Sequence, residues 1–315
     1  MKTAFWGQPD MLRKVYPEET ISKIGLAAGE PASFVEDYSP TDAEVIFTTW
    51  GMKSFRHEEI REVFPNLKYI FYAAGSVQSF ARPFLARGVR IFSAWQANAV
   101  PVAEFTASQI LLAGKRYFDI FTGGNASAKG NYNLKVGIIG MGSVGWRTAS
   151  LLKRHHVNVL AYDKFMPADI MVEYRASKAS LQDIFRECDV ISNHLADNPQ
   201  TRGVISRKLL ESMKDDACFI NTGRGAQVDH DALYDVMKAS PNRTCLLDVT
   251  YPEPLPEDHP LRTLKNVIIS PHIAGSLGNE LRRMSDYMLK EFFSVVVKGE
   301  EPTFEVTKYM LEVMA

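Results

Sequence analysis

Cysteine is scarce in this sequence: Cys188, Cys218 and Cys245 are the whole complement, an odd number without metal-ligand spacing. That count argues against a disulfide framework or a metal centre and suits small core thiols in a reducing cytoplasm. A surplus of charge is missing too. Lys plus Arg number 36 against 37 Asp plus Glu, a formal net charge of −1, so there is no basic field to attract nucleic acid or an anionic membrane. No apolar run approaches the length of a bilayer span. The first ten residues reach Gln8, Pro9 and Asp10 too soon to hold the apolar stretch of a signal peptide. Internal repeats and low-complexity tracts are absent as well. These absences leave a cytoplasmic protein whose expected partners are small molecules, with neither nucleic acid nor membrane among them.

What the chain does have is apolar material. With 46% hydrophobic residues over 315 positions it can bury a large core, and its length suits two domains better than one. Short apolar runs at 3–6, 45–49, 67–72 and 89–92 read as strands, and 57–64 and 78–86 read as helices between them. Such alternation predicts parallel sheets covered by helices. Asn98 to Pro101 should break the pattern before a long Ala- and Leu-rich helix over 102–117. Residues 122–133, T-G-G-N-A-S-A-K-G-N-Y-N, read as a linker. A second α/β series follows, with strands expected at 157–162, 190–194, 217–221, 245–249 and 267–270. Its helices are expected near 181–185, 209–213 and 231–238, with a last helix over 280–297.

The second series opens on V-G-I-I-G-M-G-S-V-G, residues 136–145. Gly140, Gly142 and Gly145 have the spacing G-x-G-x-x-G after an apolar strand and before a helical stretch. Gly140 permits the sharp turn, Gly142 lets a pyrophosphate approach the main chain, and Gly145 lets the helix lie against its strand. The helix N-terminus then offers free N–H groups and a positive dipole end. Asp163 ends the next strand, 18 residues beyond Gly145 (163 minus 145), near where a ribose hydroxyl needs an acidic partner.

Ligands of such sheets lie beyond the carboxyl ends of the strands. Three residues stand there: Arg224 in N-T-G-R-G, Glu253 in D-V-T-Y-P-E-P-L and His272 in S-P-H-I-A-G. Hydride exchange between a nicotinamide and a 2-hydroxy acid needs such a set. A guanidinium holds a carboxylate with two parallel hydrogen bonds. An imidazole moves the hydroxyl proton, and a neighbouring carboxylate fixes the ring and favours its protonated form.

With these motifs in hand, the chain resembles the D-isomer-specific 2-hydroxyacid dehydrogenase family over nearly its whole length, most strongly over 134–275. The resemblance implies two doubly wound α/β parallel-sheet domains. A Rossmann-type NAD-binding domain, 102–290, would be inserted in a flavodoxin-like substrate domain formed by 1–101 and 291–315. The two would close on their ligands, with hinges near Asn98–Pro101 and the start of the last helix. The resemblance assigns catalysis to Arg224, Glu253 and His272. It places NAD against Gly140, Gly142, Ser143, Val144, Gly145, Asp163, Thr222, Gly223, Asp248 and His272, with Asp248 on the carboxamide and Asp163 on the adenosine ribose. The substrate, a small 2-keto or D-2-hydroxy acid, falls to Ala74, Gly75, Ser76, Arg224 and His272. N-A-V-P-V-A-E-F, with Asn98 and Glu104, is similar to the family's hinge helix, and a homodimer built on that helix is implied.

The chain departs from the family at two places. Its substrate loop reads Ala73-Ala74-Gly75-Ser76-Val77-Gln78, where the family often has Gly-Val-Gly, and Ala196 stands where a proline is usual. His194 is read as structural. Trp50, Tyr72 and Trp95 either line a side-chain pocket or belong to the core. Formate dehydrogenases of similar fold carry Gln where Glu253 stands, which discounts that chemistry, and the end at Ala315 leaves no room for the regulatory domain of some phosphoglycerate dehydrogenases. The alternative function is that of the family's corepressors, which bind a dinucleotide and recruit partners.

Overall fold

The computed structural model describes residues 1–36, 38–124 and 127–313. Asn125 and Ala126 of the expected linker, and residues 314 and 315 of the C-terminal stretch, lie outside the described residues. The chain forms two compact units, 1–98 with 276–315, and 99–275. The family resemblance implies divisions at 101/102 and 290/291. The compact units divide earlier at the second crossing because Met284, Met288 and Phe292 already pack in the first unit's core with Phe5, Phe47 and Phe71.

The first unit holds β1 (Thr3–Trp6), β2 (Ser33–Val35), β3 (Val45–Thr48), β4 (Tyr69–Tyr72) and β5 (Arg90–Ser93) in the order β2-β1-β3-β4-β5. All pairs are parallel, and this is the flavodoxin-like order. Alternation along each strand sends Ala4, Trp6, Ile46, Ile70 and Ile91 to one face and Phe5, Phe47, Phe71 and Phe92 to the other. Because Phe34, Phe5, Phe47, Phe71 and Phe92 are successive register partners, five phenylalanines cross the sheet in one row. Their stacked centroids lie 5.1, 5.4, 5.2 and 4.7 Å apart. Phe292 stands edge-on to Phe47 and Phe71 at 5.3 and 5.6 Å. Helices Pro9–Val15 and Glu18–Ala28 and the edge strand β2 had no counterpart in the sequence reading.

The second unit carries β6 (Leu134–Ile139), β7 (Val157–Tyr162), β8 (Ala176–Lys178), β9 (Val190–Asn193), β10 (Cys218–Asn221), β11 (Thr244–Leu247) and β12 (Val267–Ile269). Their order is β8-β7-β6-β9-β10-β11-β12, all parallel. This is the doubly wound dinucleotide-binding order with a seventh strand added. The three cysteines are free and buried, as expected. Among the described residues no helix is long and apolar enough to cross a membrane, and no group of His, Cys, Asp and Glu is arranged to hold a metal.

One expectation is corrected. Asn98 to Pro101 does not break the chain: Trp95–Gly114 is a single twenty-residue helix with Pro101 inside it. An interior proline costs about 3 kcal/mol, and packing offsets it at both ends. Ala97 is buried in one core, and Ala107, Ile110 and Ala113 are buried in another. The helix expected over 280–297 runs Leu281–Glu291 and continues as a π-helical stretch, Phe292–Val297, and a further short helix, Met310–Val313, follows. Between the two, Glu305 bridges Phe92 in antiparallel fashion, so the C-terminal segment joins the first sheet.

Phe71 lies inside the phenylalanine row, stacked between Phe47 and Phe92 and met edge-on by Phe292. Phe71→Ala should therefore lower unfolding free energy by about 3 to 5 kcal/mol, read by urea unfolding followed through signals from the first unit. A loss below about 1 kcal/mol would show that the row does not hold the sheet.

Candidate active site

Three glycines shape the turn after β6 for different reasons. Gly140 has φ 90°, and a Cβ there would sit 2.8 Å from the His194 carbonyl carbon, so both conformation and space require glycine. A Cβ on Gly145 would meet the Gly140 oxygen at 1.9 Å. At Gly142 nothing lies within 4 Å of the Cβ position. The fold itself makes no steric demand for glycine at 142, but a phosphate approaching the backbone would. Ser143 and Val144 begin the helix Ser143–Leu152 directly behind it. Asp163 faces this turn: its Oδ2 accepts from Met141 N at 2.8 Å, and its Oδ1 accepts from Phe165 N and Met166 N at 2.7 and 2.8 Å. The cradle and the anchored carboxylate fit a dinucleotide.

Beyond β9 and β10 lies a network of buried amides. Asn193, Asn221 and Gln227 are wholly buried. Asn193 Nδ2 donates to Asn221 Oδ1 at 2.9 Å and to Gln227 Oε1 at 2.6 Å. Gly223 N donates to Asn221 Oδ1, and Arg224 N to Gln227 Oε1. Gly225 is packed so tightly that a Cβ would lie 2.0 Å from the Thr250 carbonyl carbon. The Arg224 guanidinium donates to Gly223 O at 2.8 Å. Burial lowers its pKa, against the opposing pull of the Asp197 and Glu253 carboxylates. Ala196 presents its carbonyl to Gln227 Nε2 at 2.9 Å and to the Thr201 hydroxyl at 2.6 Å.

Beyond β11 and β12, Asp248 is the organiser. Its Oδ1 accepts from Ser270 Oγ at 2.6 Å and Ile273 N at 2.9 Å, and its Oδ2 from Ala274 N at 2.9 Å. Those bonds wrap the loop around His272, which is held at φ 55°, a conformation uncommon outside glycine and associated with functional sites. His272 Nδ1 is hydrogen-bonded to Glu253 Oε1. Both side chains remain partly open to solvent.

His194 lies apart from that pair. Its Nε2 meets Ser192 Oγ at 2.9 Å, and its Nδ1 meets Thr222 Oγ1 at 3.2 Å, which in turn contacts Thr106 Oγ1 at 3.1 Å. Burial pushes its pKa down to about 3, so it is neutral near pH 7 and suits a structural part.

The second unit thus brings together Arg224, Glu253 and His272 with Asp163, Asp248, Thr222, Gly223 and the glycine turn. Ala74, Gly75 and Ser76 belong to the first unit, after β4. Ser93 Oγ donates to the carbonyls of Ala74 and Gly75 at 3.0 and 2.6 Å. The N–H groups of Gly75 and Ser76 make no hydrogen bond among the described residues. Tyr72 is a core residue, Trp50 packs against the core, and Trp95 buries an Nε1 that finds no partner among the described residues. Asn193 carries a signal in the sequence, an amide at the end of an apolar strand, whereas Gln227 lies in the turn Gly225–Gln227 and carries none.

Residues 114–274 match the model of the D-isomer specific 2-hydroxyacid dehydrogenase NAD binding domain. The chain belongs to this dehydrogenase family. It is an NAD-dependent oxidoreductase of 2-hydroxy acids. The glyoxylate reductase of Thermofilum pendens is 31% identical over 269 residues, 81% of this chain and 79% of that one. The D-3-phosphoglycerate dehydrogenase of Methanocaldococcus jannaschii is 28% identical over 82% of this chain but 51% of its own length, so this dehydrogenase spans about half of that relative. Among solved structures, the D-lactate dehydrogenase from Aquifex aeolicus complexed with NAD and lactic acid gives a TM-score of 0.70 at 26% identity, over 95% of this chain and 96% of that one.

The low pKa of His194 has a consequence for acid stability. Between its ordinary value of 6.5 and its folded value of about 3, the unfolded dehydrogenase binds a proton that the folded one does not. Stability is therefore intact above about pH 6.5 and declines as pH falls towards 3, by at most about 1.4 kcal/mol per pH unit for this one group. His194→Gln should lose less stability than the unaltered protein between about pH 7 and about pH 5, measured by urea unfolding. Equal losses would show that His194 titrates alike folded and unfolded.

Proposed function

We propose that the chain reduces a small 2-keto acid to its D-2-hydroxy acid with NADH, in the cytoplasm and as a homodimer, with no nucleic acid or membrane among its partners. The observation that carries the reading is the His272–Glu253 pair beyond β11 and β12, with Arg224 beyond β10 under the charge of the same Glu253. In this reading 99–275 serves the cofactor and 1–98 with 276–315 serves the substrate. The exposed Tyr117, Ile120 and Phe121, which follow the long helix, support its end as the dimer surface.

A reduced nicotinamide, when bound, supplies a hydride to the keto carbon. Arg224 grips the substrate carboxylate with its planar fork, and Ala74, Gly75 and Ser76 of the first unit are also assigned to the substrate. His272, its Nδ1 turned to Glu253, gives the proton on Nε2 to the carbonyl oxygen as that atom gains charge. Glu253 holds the ring and stabilises its protonated form. Gly140, Gly142, Ser143, Val144 and Gly145 cradle the pyrophosphate. Asp163 would hold the adenosine ribose and Asp248 the carboxamide, with Thr222 and Gly223 also assigned to the cofactor.

Initial rates with a panel of 2-keto acids and NADH test the activity. A folded protein that binds NADH and reduces none of them would overturn it. His272→Ala should cost on the order of 10² to 10⁴ in rate while NADH binding persists. Glu253→Gln removes the charge that favours the protonated ring, so reduction should fail at a lower pH than in the unaltered enzyme; an unchanged profile would refute the pairing.

NADH should be preferred over NADPH. Asp163 is held by three backbone N–H groups, so its charge cannot swing away from a 2′-phosphate. Two unit charges about 4 Å apart at an effective dielectric of about 20 repel by roughly 4 kcal/mol. Solvent at this half-open position reduces that, leaving a preference of about tenfold or more in kcat/KM. Equal efficiency with both cofactors would remove this role from Asp163.

A further inference from the structure

We propose that Asn193 and Gln227 are positioning residues for Arg224, forming a buried amide clasp that sets its guanidinium for the substrate carboxylate. The inference rests on the reading of Arg224 as the carboxylate holder. Arg224 sits between Gly223 and Gly225, and glycine neighbours leave a loop with much conformational freedom to lose. Something must restrain it.

The restraint comes from side-chain amides on both backbone groups of Arg224. Its N–H donates to Gln227 Oε1 at 3.2 Å, and its carbonyl accepts from Asn221 Nδ2 at 3.2 Å. Asn193 joins the two amides by donating to Asn221 Oδ1 and Gln227 Oε1. The far end of Gln227 is spoken for as well, since its Nε2 donates to the carbonyls of Leu195 and Ala196 at 2.8 and 2.9 Å. A flipped Gln227 amide would point its N–H₂ at two donors and its oxygen at two carbonyls, so one orientation alone satisfies the set. Because these residues are wholly buried, no water replaces a lost partner cheaply. The clasp thus links the β9 end to the loop that carries Arg224.

Gln227→Leu should raise KM for the 2-keto acid about tenfold, with kcat changed by less than about threefold and NADH affinity by less than about twofold, the pattern of lost substrate binding. The double variant Asn193→Leu with Gln227→Leu also removes the Asn193 donor that Gln227→Leu leaves unpaired, which should restore part of the stability lost in the single variant, while the Leu195 and Ala196 carbonyls stay unpaired in both. If the clasp positions Arg224, KM stays raised in the double variant while its unfolding midpoint recovers in part. A KM that returns to the unaltered value with the midpoint would overturn the proposal by showing a purely structural pair. Arg224→Lys is the reference. A raised KM there, beside an unchanged KM in both Gln227 variants, would overturn the clasp alone. An unchanged KM in Arg224→Lys would overturn the carboxylate reading and the clasp with it.

Discussion

Parallel pairing is the constraint on which the second unit depends. When all seven strands run the same way, every carboxyl end falls on one edge of the sheet. The segments after β6, β9, β10, β11 and β12 then have to share that edge. Gly140, His194, Arg224, Glu253 and His272 are far apart in sequence and are gathered by this rule. Antiparallel pairing would send alternate loops to the opposite edge.

Gathering the loops does not by itself orient them, and two buried polar systems supply the orientation. Asp248 spends both carboxylate oxygens on the loop around His272. The amides of Asn193, Asn221 and Gln227 do the same for the loop around Arg224. Each system is satisfied almost entirely by partners within the protein, and a satisfied buried network rigidifies where a partly satisfied one would destabilise. The left-handed backbone at His272 is an unfavourable conformation kept in place by such bonds.

Much of this was legible in the sequence, for physical reasons. Glycines in G-x-G-x-x-G, the strand after them and Asp163 follow from sterics that any such turn obeys, and the first unit's central strands follow from dense apolar runs. Other parts left little local signal. β2 and β8 are three-residue edge strands in which Ala176 alone is fully buried, so no apolar run marks them. The helices Pro9–Val15 and Glu18–Ala28 did have marks, a proline in the first turn and a left-handed Gly29 at the end, and were passed over. Pro101 misled because a local rule was overridden by packing along Trp95–Gly114. Asn193 and Gln227 could not be paired from sequence, since their hydrogen bond spans 34 positions. The contact of His272 with Glu253 was anticipated from chemistry, whereas the role of Asp248 in holding the His272 loop was not.

The three glycines of the β6 turn record two histories in one motif. At Gly140 and Gly145 the protein's own backbone occupies the space a side chain would need, so those positions answer to folding. At Gly142 that space is open, and the pressure to keep it so comes from a visitor. A descendant that abandoned dinucleotides would retain the outer two glycines and be free to drift at the middle one. Gly142 is the place in this turn where loss of the cofactor would leave a mark while the fold stayed whole.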